Sequence, residues 1–137
     1  MKVIFIIENM LGVTGGNITL NKIIKYLVCR GLDILILTRT SDYVPIDGVR
    51  VSTIPLHESF SKNCPKCDIV IATYFSHVHE LIDIKANKKI YYAQGDQFVF
   101  NDPMLIDERN PALSVNKDLH KLSSMSYGIE GIIYILN

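Results

Sequence analysis

Two neighbouring glycines, Gly15 and Gly16, stand between an apolar run, Val3-Ile4-Phe5-Ile6-Ile7, and a segment with apolar residues at Leu20, Ile23, Ile24, Leu27 and Val28. The first run has the length of a buried strand and the second has helical spacing, so Glu8 to Asn17 is a strand-to-helix loop. Lacking Cβ atoms, the glycines can take positive φ and let a ligand approach the main chain. The first turn of the helix leaves N–H groups unpaired and carries the positive end of the helix dipole, which favours an anion such as phosphate. Equally, Gly15-Gly16 could form a tight βα turn with no ligand.

A second polar group, Gln94-Gly95-Asp96-Gln97, follows the apolar Ile90-Tyr91-Tyr92-Ala93. A carboxylate beside glycine at a strand end can accept sugar hydroxyls or a proton, and Asp96 could as well cap the next turn. Tyr74, just after Asp68-Ile69-Val70-Ile71-Ala72, could offer a ring and a hydroxyl, whereas Tyr91 and Tyr92 lie inside a strand and belong to the core.

Other chemistries fit less well. The dinucleotide fingerprint G-x-G-x-x-G is absent, and the second strand ends in Thr38-Arg39-Thr40 rather than an acid, so NAD is not expected. Arg39 at that position could meet a 2′-phosphate, which keeps an NADP-dependent oxidoreductase as an alternative, although a strand-end arginine is more often solvated surface. Gly16 is followed by Asn17 and Ile18, not by the Gly-Lys-Ser/Thr of a phosphate loop. Cys64-Pro65-Lys66-Cys67 has the spacing of half a zinc knuckle or of a redox pair, but no second C-x-x-C exists, and His77 and His79 at the start of a helix would diverge. These cysteines are therefore incidental. His57, His77, His79 and His120 have no serine or cysteine nucleophile in a recognisable elbow and are surface histidines, with His77 and His79 nearest the expected ligand rim. No cluster of carboxylates marks that rim, so neither a metal nor a cofactor is implied.

The elements that must position these groups follow from periodicity. A helix is expected from Asn17 to Arg30 with Gly31 as its stop, then a strand at Ile34-Leu35-Ile36-Leu37 without alternation, as in a parallel sheet covered on both faces. Asp42 to Gly48, with Pro45 and Asp47-Gly48, is a loop into Val49-Arg50-Val51-Ser52-Thr53-Ile54, whose alternation marks a half-exposed edge strand. After Pro55 the connector through Lys62 holds a short helix at most. Helical spacing returns at Val78, Leu81, Ile82 and Ile84, and again from Asn116 to Tyr127, while Phe98 to Pro111 has no clear period. Gly131-Ile132-Ile133-Tyr134-Ile135-Leu136 is a sixth strand. The expected fold is α/β: a Rossmann-like doubly wound parallel sheet of about six strands in the order 3-2-1-4-5-6, in three layers α/β/α. Ligands of such sheets lie beyond the carboxyl ends of the strands, at the switch point between the first and fourth, which gathers Gly15-Gly16, Tyr74 and Gln94-Gly95-Asp96 on one rim.

At 137 residues the chain forms one domain, residues 1–137. Charges balance, 14 basic against 14 acidic residues, which argues against nucleic acid as a partner. The N-terminal apolar run is too short for a signal peptide and no run approaches a membrane span, so a cytoplasmic protein is expected, and an odd count of three cysteines fits a reducing compartment.

Taken in order, the Gly-Gly loop, Cys67-Asp68-Ile69-Val70-Ile71-Ala72-Thr73 and Lys89-Ile90-Tyr91-Tyr92-Ala93-Gln94-Gly95-Asp96 resemble the N-terminal half of a two-domain retaining glycosyltransferase of the GT-B fold, in the family-4-like group, with the last segment similar to a bacterial, rhamnosyltransferase-like subset. The resemblance implies transfer of a hexosyl or deoxyhexosyl group from a nucleoside-diphosphate sugar to a saccharide or glycolipid acceptor in cell-envelope or polysaccharide synthesis. It makes Gly15, Gly16 and Asn17 contacts for the donor diphosphate, and places Asn9, Thr14, Tyr74, Gln94, Gly95 and Asp96 on the acceptor side. Gln94 stands where many relatives carry a histidine, so no single catalytic residue is assigned and Gln94 and Asp96 are the candidates. The C-terminal donor domain of that family has no counterpart in these residues, so an isolated domain, inactive alone, is expected to need it as a partner. A lipid-borne acceptor would add peripheral contact with the inner face of the membrane.

Overall fold

The computed structural model describes residues 1–10, 15–40, 42–93 and 132–136. In chain order they form β1 (Lys2–Ile7), α1 (Gly15–Cys29), β2 (Asp33–Thr38), β3 (Val49–Thr53), α2 (Phe60–Asn63), β4 (Cys67–Ala72), two 3₁₀ turns (Phe75–His77 and His79–Ile82), β5 (Ala86–Ala93) and β6 (Ile132–Leu136). The sheet order is β3-β2-β1-β4-β5-β6, and the first five strands are parallel. An α/β fold with a parallel sheet is thus present. The last strand corrects the expectation: β6 pairs antiparallel with β5, Ala93 opposite Ile132 and Lys89 opposite Leu136. An antiparallel neighbour starts at the rim where its partner ends, so it needs no crossover to the far end of the sheet.

The parity of β1 divides the core. Val3, Phe5 and Ile7 face α1 and pack with Leu20, Ile24, Ile34, Ile36 and Ile46. Ile4 and Ile6 face the other way and pack with Leu35, Leu37, Phe60, Val70, Val78, Leu81, Ile84 and Tyr91. Each of these large side chains, fully buried, contributes about 1.5–3 kcal/mol relative to exposure. Both faces of the central strands are dry, which is why β1 and β2 carry unbroken apolar runs. At the edge, β3 keeps the alternation and the half-exposure expected of it.

Two helical expectations shift. Helix α1 begins at Gly15, so the glycines form its first turn instead of preceding it, and among the described glycines positive φ is found at Gly31 and Gly48. Around Val78 the chain makes 3₁₀ turns, not an α-helix: Leu81 N–H donates to Val78 C=O at 3.2 Å and Ile84 N–H to Leu81 C=O at 3.3 Å. Val78, Leu81 and Ile84 recur every three residues, and a 3₁₀ turn stacks such positions on one face. All three are buried, while Ile82 is 51% exposed. Strand β5 also starts earlier than Ile90, since its pairing with β4 opens at Cys67 opposite Ala86 and takes in Lys88 and Lys89. The expected helix from Asn116 to Tyr127 and the stretch from Phe98 to Pro111 lie outside the described residues.

Gly31 ends α1 as expected. Its φ is 80°, its N–H donates to Val28 C=O at 2.9 Å, and Leu32 N–H donates to Leu27 C=O at 3.2 Å. This is a Schellman cap, closed by apolar Leu27 and Leu32 on the same core cluster. Gly48 has φ 77°, and a Cβ there would lie 2.8 Å from Val28 Cγ1, whereas at Gly31 a Cβ would meet nothing within 4 Å. Gly31→Ala is therefore expected to cost about 1–2 kcal/mol through backbone conformation alone, and Gly48→Ala more, because the β-branched Val28 must also yield. Urea unfolding of both variants checks the order; equal losses would show that the Val28 contact is absorbed without strain.

Candidate functional site

Because β1, β2 and β4 are parallel, their carboxyl ends share one rim. Glu8 and Asn9 leave β1, Arg39 and Thr40 leave β2, and Thr73, Tyr74 and His77 follow β4. The ladder carbonyls at this rim are taken up by threonines. Thr73 Oγ1 donates to Ile6 C=O at 2.9 Å, and Thr38 Oγ1 to Glu8 C=O at 3.4 Å. Thr40 Oγ1 receives the Met10 N–H at 3.0 Å and donates to Asn9 Oδ1 at 3.3 Å. The chain leaving β1 is thereby held against β2 before it reaches α1.

On the face away from α1, an acid and a histidine meet. Glu8 continues the parity of Ile4 and Ile6, so its carboxylate lies over the second core cluster, and its Oε2 is 2.6 Å from His77 Nε2. The pair spans β1 and the segment after β4, the two strands that flank the switch point. His77 is only 5% exposed. Its ring stands edge-on to Phe60, 4.8 Å between centroids, and Tyr74 is 5.8 Å away on the rim. On Phe60, in turn, sits the Arg39 guanidinium, 4.1 Å from the ring centroid, which also donates to the carbonyls of Ile54 and Pro55.

The protonation of this cluster follows from its geometry. Burial holds the His77 imidazole below the ordinary histidine value, assisted by Arg39 and opposed by the nearby carboxylates of Glu8 and Glu80. The short Nε2 to Oε2 contact needs a proton on Nε2, and Nδ1 is buried with no hydrogen-bond partner among the described residues. A proton on Nδ1 would thus be an unsatisfied buried donor, which costs about 1–3 kcal/mol. The neutral tautomer with Nε2–H directed at Glu8 satisfies both constraints.

Two sequence expectations are corrected here. His77 is not a surface histidine, since it closes a 3₁₀ turn whose buried face carries it inward; His57 and His79 are exposed as expected. Arg39 is not merely solvated, because a cation over an aromatic ring and two carbonyls hold it beside β3. Of the residues expected to bind ligand, Gly15, Gly16 and Asn17 form the first turn of α1, which contains no acidic residue. Asn9 is engaged by Thr40, and Tyr74 is exposed on the rim. Thr14, Gln94, Gly95 and Asp96 lie outside the described residues. Glu8 went unnoticed, although an acid immediately after a buried run, on the parity of Ile4 and Ile6, was a readable signal.

The cysteine pair lies at the opposite, amino rim. Cys67 is buried as the first residue of β4, and Cys64 packs against it. The Cys64 thiol is pushed up to about 12 by burial and by Cys67, and Cys67 is raised by burial, so neither is poised as a reactive thiolate. Among the described residues no group of three or more histidine, cysteine or acidic side chains could hold a metal ion.

His77 also makes stability depend on pH. A histidine held neutral in the folded state contributes stability in full above its unfolded value, near 6.5, and loses it as pH falls towards the lowered folded value. Relative to His77→Gln, the protein is expected to lose stability below about pH 6.5 by at most about 1.4 kcal/mol per pH unit. Denaturant unfolding between pH 5 and pH 8 measures this; a gain on acidification would mean that the imidazolium–carboxylate attraction outweighs burial. Comparison of the chain with protein-family models, with curated proteins and with solved structures finds no match.

Proposed function

We propose that this chain is the acceptor-side, Rossmann-like half of a glycosyltransferase that moves a hexosyl or deoxyhexosyl group from a nucleoside-diphosphate sugar to a saccharide or glycolipid. The observation that carries the proposal is the placement of Gly15 and Gly16 in the first turn of α1, directly after central β1 and at the rim where the strand order turns from β1 to β4. The positive end of the α1 dipole suits a diphosphate, and a glycine there carries no side chain beyond its main chain. The three-layer arrangement belongs to the same reading, with α1 on one face and α2 and the 3₁₀ turns on the other. Positioning of the acceptor hydroxyl and stabilisation of the departing diphosphate would be the task of this half. Contacts to the donor's ribose and sugar fall to a second domain. Gln94, Gly95 and Asp96 keep their proposed place on the acceptor side.

The NADP alternative loses its main support, because the Arg39 guanidinium is stacked on Phe60 and bonded to two carbonyls. A free-standing Rossmann-like nucleotide-binding module, which the same glycine turn would serve, is the competing proposal. No helix among the described residues is long and apolar enough to cross a membrane. Work on a lipid-borne acceptor, by peripheral contact with the inner face of the membrane, belongs to the same proposal.

Amide NMR titration with UDP, GDP, dTDP and NADP tests the proposal. The nucleoside diphosphates are expected to perturb Gly15, Gly16 and Asn17 alike, and NADP no more strongly than they do. Gly16→Ala keeps helical backbone angles and favours the helix by about 1 kcal/mol, yet its methyl group should weaken diphosphate binding severalfold. Silence of the α1 amides towards all four compounds, or selectivity for NADP, would sink it.

A further inference from the structure

We infer that Glu8, held in place by His77, is a binding position for a hydroxyl group of a neutral polyol ligand, with Tyr74 as the flat wall on which that ligand rests. The inference rests on the proposed acceptor role of this rim, and it names residues and ligand chemistry which that role leaves open.

Two separate features carry it. The first is the geometry of the carboxylate. Glu8 is 42% exposed, while the histidine that bonds it is almost wholly buried. One oxygen, Oε2, accepts the His77 Nε2–H at 2.6 Å, and among the described residues Oε1 has no protein partner. Burying an imidazole is costly, and His77 makes one hydrogen bond in return. That bond does for Glu8 what a supporting hydrogen bond does for any preorganised group: it fixes the rotamer and leaves the second oxygen, among the described residues, for a ligand at the carboxyl rim. The second feature is Tyr74. It is 46% exposed, lies beside the His77 ring and follows the same strand. A ring with one apolar face and a polar tip at a wet rim suits the C–H face of a sugar, while a carboxylate accepts from its hydroxyls.

Charge decides the ligand class. A fixed carboxylate repels phosphate, so the diphosphate expected at α1 would not settle on Glu8. No metal-holding group of three acidic, histidine or cysteine side chains surrounds it among the described residues. A group that donates hydrogen bonds suits the carboxylate, and within the acceptor class proposed above the polyol face of a saccharide supplies several such donors next to C–H surface.

Carboxylate carbon shifts of Glu8 and imidazole nitrogen shifts of His77 are to be followed by NMR in the wild-type chain, with D-glucose, D-mannose and L-rhamnose each raised to about 0.2 M, a range suited to contacts worth only a few kcal/mol. At least one sugar should shift both groups saturably, and Glu8→Gln, which keeps the size and an acceptor for His77 Nε2–H, should weaken that binding fivefold or more. His77→Gln should weaken it too, with the Tyr74 ring signals still responding to sugar. Sugars that leave the Glu8 carboxylate unmoved in the wild-type chain overturn the inference, whatever the variants do. Sugar binding equal in wild type and Glu8→Gln also overturns it. The parallel diphosphate titration separates the two ideas: a response at α1 without one at Glu8 defeats this inference alone, and a response at Glu8 without one at α1 defeats the diphosphate reading alone.

Discussion

Strand β1 is hydrogen-bonded on both edges and covered on both faces, and that confinement governs where polarity can appear. From Val3 to Ile7 every side chain is buried, so no charged group fits until the strand leaves the sheet at Glu8. The neighbouring strands obey the same restriction. Polar side chains begin at Thr38 on β2 and at Thr73 after β4, and each is buried with its hydroxyl donated to a carbonyl at the end of β1, that of Glu8 just beyond it or of Ile6 within it. A rim rich in hydrogen-bonding groups at the carboxyl end is therefore a consequence of the dry centre. At the amino end the same pressure is met differently: the Asp68 carboxylate takes the Lys2 N–H at 2.7 Å, and Arg50 reaches Asp33 at 2.8 Å. Those contacts tie down the strand starts.

The features legible in the sequence were those fixed by local chemistry or by two-sided burial. Unbroken runs such as Ile34 to Leu37 identified strands that helices cover, and the alternation from Val49 to Thr53 identified the edge. Gly31 was legible because only a residue tolerant of left-handed φ closes a Schellman cap without strain. The turns after β4 were not, since Val78, Leu81 and Ile84 fit a three-residue period as well as the commoner 3.6-residue one, and exposure of Ile82 alone separates the two. The direction of β6 was equally hidden. An apolar run such as Ile132 to Leu136 carries no sign of whether its partner runs with it or against it.

At the site, the sequence showed the glycine turn but not the acid–histidine pair. Glu8 and His77 meet only because β1 and β4 are adjacent and because Glu8 falls on the parity of Ile6, facts that require the strand order and the pleat together. Arg39 was misjudged for a similar reason. Its strand end lies on the surface, but the carbonyls of Ile54 and Pro55 and the ring of Phe60 are brought to it by the connector after β3.

Phe60 is the wall common to both charged partners, with the Arg39 guanidinium on its face and the His77 ring against it edge-on. It opens α2, a helix of only four residues, too short to persist on its own helical propensity. Side chains hold it instead: Ser59 caps it by accepting the Lys62 N–H, and Glu80, from the turn beyond His77, accepts the Ser61 N–H at 3.0 Å. Glu80 thus ties the segment carrying His77 to the helix carrying Phe60. The orientation of the Glu8 carboxylate is set by His77, His77 by its packing against Phe60, and Phe60 by two caps and full burial. A chain of dependence that runs through side-chain contacts, not through the sheet ladder, allows this corner to change while the strands keep their register.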